Sequence, residues 1–135
     1  VVRFGDTGAG TAMKLINQLL TCIHTVAAAE AFNLANSAGV DILKATDLLQ
    51  KSFGGSTMVG RSGPITAARD FENSGAPMRN LIKDIGIIMT MADEMKLSMP
   101  TGTAAAEILY EGRDTGLSDH DIAAVIVPIE THSGG

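Results

Sequence analysis

An all-α domain of about six helices, the first of them unusually long, is the fold this sequence predicts, and three observations carry the prediction. Strand signals are scarce, because apart from Val1-Val2-Arg3-Phe4 there is little β-branched alternation. Ala, Leu, Met and Lys instead recur at helical spacing. Gly and Pro then punctuate the chain into helix-length segments. The 135 residues suit one compact domain over 1–135, large enough to hold together by its core without a disulfide or a metal.

The first helix is expected to start near Gly10 and to run to about Ala38, with Met13, Leu15, Ile16, Leu19, Leu20, Ile23 and Val26 on its apolar side and Gly39 as its stop. Asp41 caps a second helix through Ile42, Leu43, Ala45, Leu48 and Leu49. After the flexible Phe53-Gly54-Gly55, Ser56 caps a third, which Gly63-Pro64 should break. Residues 64–77 are expected to be irregular, and Pro77 to open a fourth helix from Met78 to Lys96. Pro100 opens a fifth, closed by Gly112. A last helix covers about Asp119 to Glu130, entered by a capping-box-like Ser118 and Asp121 and kinked at Pro128. No internal repeat and no low-complexity tract is present, and Ser133-Gly134-Gly135 is a tail.

Ten Lys and Arg against fifteen Asp and Glu leave a net charge of -5, the wrong sign for a protein that lives on phosphate backbones, so no nucleic acid partner is expected. No apolar run approaches the ~20 residues that span a bilayer, so no membrane partner is expected either. The single Cys22 excludes an internal disulfide framework and a multi-cysteine zinc site, and it reads as a small core residue. A lone thiol fits a reducing compartment, the cytoplasm first and the mitochondrial matrix as the alternative. No metal-ligand spacing joins His24, His120 and His132, so no metal is expected. The chain opens on Val1-Val2 without a leader signature and is read as part of something longer.

Gly5, Gly8 and Gly10 precede the long helix and invite a dinucleotide-binding reading, which fails on context: Met13 stands where the third glycine belongs, and no second strand follows at βαβ distance. What survives is a glycine turn at a helix N-terminus, able to meet a carboxylate or phosphate with backbone N–H groups, or else a plain linker. The helix itself holds a better clue. At about 100° per residue, Asn17, Gln18, Thr21 and Thr25 fall on the side of Lys14, opposite the apolar residues. A solvated face usually alternates charges, whereas this stripe has one amine, two amides, hydroxyls and no carboxylate. Such a set suits a bound acid or alcohol, with the amine as general acid/base and the amides as orienting groups, although an ordinary hydrophilic face fits the pattern too.

These residues match a known pattern. Gly8-Ala9-Gly10-Thr11-Ala12-Met13-Lys14-Leu15-Ile16-Asn17-Gln18 resembles the G-x-G-x-x-x-K-x-x-N-[NQ] segment of the β-hydroxyacid dehydrogenase family. Ala29-Glu30-Ala31 with Ala38-Gly39-Val40, Lys83-Asp84-Ile85-Gly86, and Asp121 with Ala124 resemble its later segments in order. The family includes 3-hydroxyisobutyrate dehydrogenase, tartronate semialdehyde reductase and L-threonate dehydrogenase, with 6-phosphogluconate dehydrogenase more distant. The resemblance implies a fold like the 6-phosphogluconate dehydrogenase C-terminal domain, with the N-terminal Rossmann cofactor domain absent from this chain. It implies that Lys14 is the catalytic lysine, that Gly8 and Gly10 approach the substrate carboxylate, that Asn17 and Gln18 orient the substrate, and that Lys83 reaches the cofactor, NAD or NADP. The implied partners are a small hydroxy-carboxylate, the chain's own Rossmann domain and a second copy in a homodimer or higher homo-oligomer, to which seven Met residues would lend adaptable contacts. The competing reading is a non-catalytic helical dimerisation module of the same fold.

On its own helix Lys83 shares a face with Gly86 and Ile87, while Leu81, Ile85, Ile88, Met89 and Ala92 point to the core. Glu30 falls on the apolar side of the long helix and is expected to need a hydrogen bond or ion pair. His24 reads as structural, and His120 as exposed near a helix start.

Overall fold

The computed structural model describes residues 6–133, with side chains from Gly10 onward, so Val1-Val2-Arg3-Phe4, Gly5 and the terminal Gly134-Gly135 lie outside the described residues. Among the described residues six α-helices follow one another: α1 (Asp6–Ser37), α2 (Ile42–Leu49), α3 (Thr57–Ala68), α4 (Met78–Glu94), α5 (Pro100–Asp114) and, after a 3₁₀ turn at Ile122–Val125, α6 (Ile126–His132). No strand forms among the described residues, and the fold is all-α as the periodicity predicts.

The first helix is the axis. Its 32 residues span about 48 Å at 1.5 Å per residue, and it touches each of the other five helices. Cys22, Val26, Ala28, Ala29 and Phe32 of α1 are buried in one cluster with Met78, Leu81, Ile85 and Ile88 of α4, Ala105, Ala106 and Leu109 of α5, and the 3₁₀ turn. Fully burying side chains such as Phe32, Ile85 and Leu109 stabilises by about 1.5–3 kcal/mol each, which is why the helices hold as a bundle. By length and composition alone Gly10–Ser37 is apolar enough to cross a membrane, contrary to the expectation of no such run. A central helix that must meet five others is apolar over most of its circumference for the same physical reason.

Several boundaries differ from expectation. The long helix begins at Asp6, so Gly8 and Gly10 lie within its first turns rather than in a turn ahead of it. An isolated helical glycine costs about 1 kcal/mol relative to alanine, a cost that a helix packed along this length tolerates. The third helix runs straight through Gly63-Pro64 to Ala68. Here glycine sets the helix contact: a Cβ on Gly63 would overlap the Thr46 side chain of α2, so the bare backbone lets α2 seat against α3. The fifth helix passes Gly112, which is buried against Met78, and ends at Asp114, with Gly116 at φ +88 completing the turn.

The expected caps at Asp41 and Ser56 form, donated to by the N–H of Leu43 and Val59, and Gly39 ends α1 at φ +78. The expected last helix is split. Asp121, rather than Ser118, caps the 3₁₀ turn, and Pro128 falls in the first turn of α6, where its missing N–H costs little and no kink is needed.

Candidate active site on the first helix

Stripe positions Lys14 and Asn17 are exposed, and Gln18 and Thr21 are half-buried. Thr25 is not part of that surface: it is buried, and its hydroxyl donates to the Thr21 carbonyl at 2.6 Å. Gly10 stands one turn before Lys14 on the same face, and a Cβ placed there would meet nothing within 4 Å. Backbone, amine and amide therefore line up along one open side of α1. Gly8 sits a turn-fraction earlier in the same helix.

The fourth helix closes the other side of this row. Gln18 Nε2 donates to Asp84 Oδ2 at 2.7 Å, which brings the Lys83-Asp84 pair of α4 to the polar stripe of α1. Lys83 is exposed, with Gly86 half-buried and Ile87 exposed beside it, while Leu81, Ile85, Ile88 and Ala92 are buried and Met89 is partly so. The stripe that lacks a carboxylate within its own helix receives one from α4. Asp84 was legible only as a neighbour of Lys83, because nothing in either segment signals that a residue 66 positions away will meet Gln18.

Next to the polar row lies an apolar groove of about 220 Å³, walled by Leu15, Ile16 and Leu19 of α1 and by Met91, Met95 and Met99. Met13, Ile16 and Leu20 are 60%, 50% and 46% exposed, so the apolar arc of α1 is uncovered over its N-terminal half. Cys22 is buried as expected, its Sγ 3.9 Å from the Leu81 carbonyl. Burial, with the charge of Asp84 adding to it, pushes the thiol up to about 12, which removes it from nucleophilic chemistry.

Other expectations are corrected. Glu30 is exposed and has no ion pair or hydrogen bond among the described residues; it borders a cleft of about 380 Å³ between α1, α5 and α6, shared with Glu107 and Glu111, so water rather than a partner solvates it. His120 is half-buried with an enclosed Nδ1, and its carbonyl accepts from the Met78 N–H. His24 is exposed, and His132 Nε2 lies 2.7 Å from Glu111 Oε2. Among the described residues no group of His, Cys, Asp and Glu side chains gathers to hold a metal.

A second polar centre escaped the sequence. The buried Asp121 carboxylate accepts from both terminal nitrogens of Arg61, from Ser74 Oγ and from the Ala123 N–H at 2.8 Å, joining α3, the segment before α4 and the 3₁₀ turn. Burial acts to raise this carboxyl, but Arg61, Ser74 and the Ala123 N–H outweigh it and hold it below its ordinary value.

A profile described as NAD-binding of NADP-dependent 3-hydroxyisobutyrate dehydrogenase matches residues 8–129. The chain belongs to this family. L-threonate dehydrogenase of Cupriavidus necator is 34% identical over 127 residues, covering 93% of this chain and 42% of that protein. The cytokine-like nuclear factor N-PAC of Anopheles gambiae is 31% identical over 126 residues, covering 91% of this chain and 22% of that protein. The crystal structure of 3-hydroxyisobutyrate dehydrogenase from Salmonella typhimurium superposes with a TM-score of 0.85 at 28% identity, over 89% of this chain and 42% of that one. The chain thus spans less than half the length of these relatives. NAD or NADP is the cofactor that fits this family.

Proposed function

We propose that this chain is the helical, substrate-binding half of an NAD(P)-dependent dehydrogenase acting on a small β-hydroxy acid, with Lys14 as the proton carrier. The observation that carries the reading is the exposed row of Gly10, Lys14 and Asn17 on α1, beside which the Gln18–Asp84 hydrogen bond holds α4. The nicotinamide, when bound, takes or supplies the hydride. Lys14 Nζ takes the hydroxyl proton as the alcohol is oxidised, and returns a proton to the carbonyl oxygen in the reverse direction.

The amide of Asn17 can donate to a carboxylate and accept from a hydroxyl, so it orients the acid beside the amine. Gln18 completes the amide pair from the α4 side. Gly8 and Gly10 let the substrate carboxylate approach the backbone near the positive end of α1. Lys83 would help hold the cofactor from the helical side. The intact enzyme on this reading is the chain together with a Rossmann domain, assembled as a homodimer or larger homo-oligomer through the uncovered apolar arc of α1.

Lys14→Arg in that intact enzyme tests the reading, with L-threonate and 3-hydroxyisobutyrate as substrates and NAD and NADP as cofactors. Arginine keeps the charge but stays protonated. The expected loss in kcat is about 10²-fold or more with the fold retained, the range for removing a general acid/base. Near-normal kcat, or no turnover of either acid by the unsubstituted enzyme, would sink the reading.

A second reading is a non-catalytic helical dimerisation module. Similarity to a protein named as a nuclear factor favours it, as does the exposed ridge of Met13, Ile16 and Leu20. It predicts self-association without any need for the amide-flanked lysine, and insensitivity of every measurable property to Lys14→Arg.

A further inference from the structure

We infer that Phe53 of one copy of this chain seats in the apolar groove between α1 and α4 of a second copy. The inference rests on the self-association in the proposed reading and uses nothing of Lys14. Two features that the fold leaves uncovered carry it, a ring and a groove. Phe53 stands on the connection between α2 and α3 and is the most exposed large apolar side chain among the described residues. A loose loop would have to be ordered before it could bury that ring, but this connection is tightly wound. The Ser52 N–H donates to the Leu49 carbonyl at 2.9 Å, the Gly55 N–H to the Ser52 carbonyl at 3.1 Å, and the Ser56 N–H to Gln50 Oε1 at 3.2 Å. A Cβ on Gly55 would overlap the Leu49 carbonyl, so only glycine lets the chain fold back this closely. The ring is held out on a pre-formed turn, and burying it against a partner gives up little chain freedom.

The groove suits such a ring in size and in chemistry. A cavity of about 150 Å³ takes a benzene molecule, so the 220 Å³ of the groove has room for a phenyl side chain. Met91, Met95 and Met99 wall it, and thioethers adapt their shape and make favourable contacts with aromatic rings. No aromatic side chain of its own copy lines it, and Leu97 at its edge is half exposed. Aromatic residues and Met are also the apolar types that interfaces gather at their centres. Charge points the same way. On the exposed face of α2 and its following turn Lys44 and Lys51 stand against one acid, Asp47, whereas beside the α4 wall of the groove Asp93 and Glu94 stand against one cation, Lys96. The surround of the ring is therefore net positive and that edge of the groove net negative. Each copy has one ring and one groove, so two copies can meet reciprocally as a pair, or join one way only into rings or chains.

The test uses the chain itself, Val1 to Gly135. Sedimentation up to about 1 mM, the range of weak contacts, should show self-association. Phe53→Asp and Leu97→Asp, both at exposed positions, should each weaken it about tenfold or more, because each sets a carboxylate against an apolar partner. An equimolar mixture of the two variants should pair one to one, since one keeps its groove and the other its ring. The chain contains no Trp, so Phe53→Trp supplies a single fluorescent reporter. Its emission should shift to the blue as concentration rises, a readout that does not depend on how well Leu97→Asp folds.

Self-association undiminished in Phe53→Asp would overturn the inference and assign the joining surface to the ridge of Met13, Ile16 and Leu20, leaving the assembly in the proposed reading intact. Two variants that each fail alone and do not pair when mixed would show that ring and groove are not partners, as would Phe53→Trp emission that stays red while the chains associate. A chain that remains monomeric at about 1 mM would overturn both the inference and self-association through this domain, without touching the role proposed for Lys14.

Discussion

At the scale of single residues, the group with the largest structural stake is Asp121, which lies in the core and accepts hydrogen bonds from three separate parts of the chain. Its folded-state value is held below the ordinary 3.8, so its contribution to stability is complete above that pH and is lost as pH falls through the lower, folded value. Urea titrations should therefore show stability declining as pH drops below about 4, with a shallower decline in Asp121→Asn, which cannot ionise. Asp121→Ala should cost about 3 kcal/mol at neutral pH, since it strands a partly buried guanidinium. An unchanged acid limb in the asparagine variant would remove the carboxylate from this role. Sequence could show Lys14, Asn17 and Gln18 together because one helix turn brings them together. It could not show Arg61 or Ser74 meeting Asp121 across 60 and 47 residues, or Gln18 meeting Asp84, because only the tertiary fold closes those distances.

At the scale of elements, the contact of α2 with α3 shows where local rules end. Caps at Asp41 and Ser56 follow from hydrogen bonds made within a few residues, and they form where the sequence places them. The break expected at Gly63-Pro64 does not occur, because the same glycine that weakens a helix in isolation opens the groove in which Thr46 sits. Two glycines one turn apart on α3 should respond differently to alanine. At Gly63 the added methyl meets the body of Thr46, which α2 holds in place through its bond to the Ile42 carbonyl, and the helices must part at a cost of about 1–3 kcal/mol. At Gly60 it meets only the amide end of the exposed Gln50 side chain, which can swing away, so the gain in helix propensity offsets much of the contact. Thermal melts of Gly60→Ala and Gly63→Ala check the contrast, and equal losses at the two sites would refute the packing account.

At the scale of the whole molecule, the two halves of α1 live in different surroundings. Its C-terminal half carries Cys22, Val26, Ala28, Ala29 and Phe32 into the core. The N-terminal half carries Lys14 and Asn17 on one side and an exposed Met13, Ile16 and Leu20 on another, so the candidate chemistry and the uncovered apolar surface share the same turns. Hydride transfer needs donor and acceptor carbons held at near-attack distance, roughly 3–3.5 Å, and that precision comes from elements gripping both reactants. The described residues set the amine and amides of α1 beside Asp84 of α4, but include no strand from which a dinucleotide fold could be built. The chain by itself is therefore expected to bind small hydroxy-carboxylates weakly, and to give no NAD- or NADP-linked turnover of L-threonate or 3-hydroxyisobutyrate. Spectrophotometric assay of the chain alone, beside the same chain joined to a Rossmann domain, checks this. Turnover by the chain alone would mean that the surface around Lys14 and Lys83 grips the whole cofactor, and the division of labour proposed between the two halves would have to be abandoned.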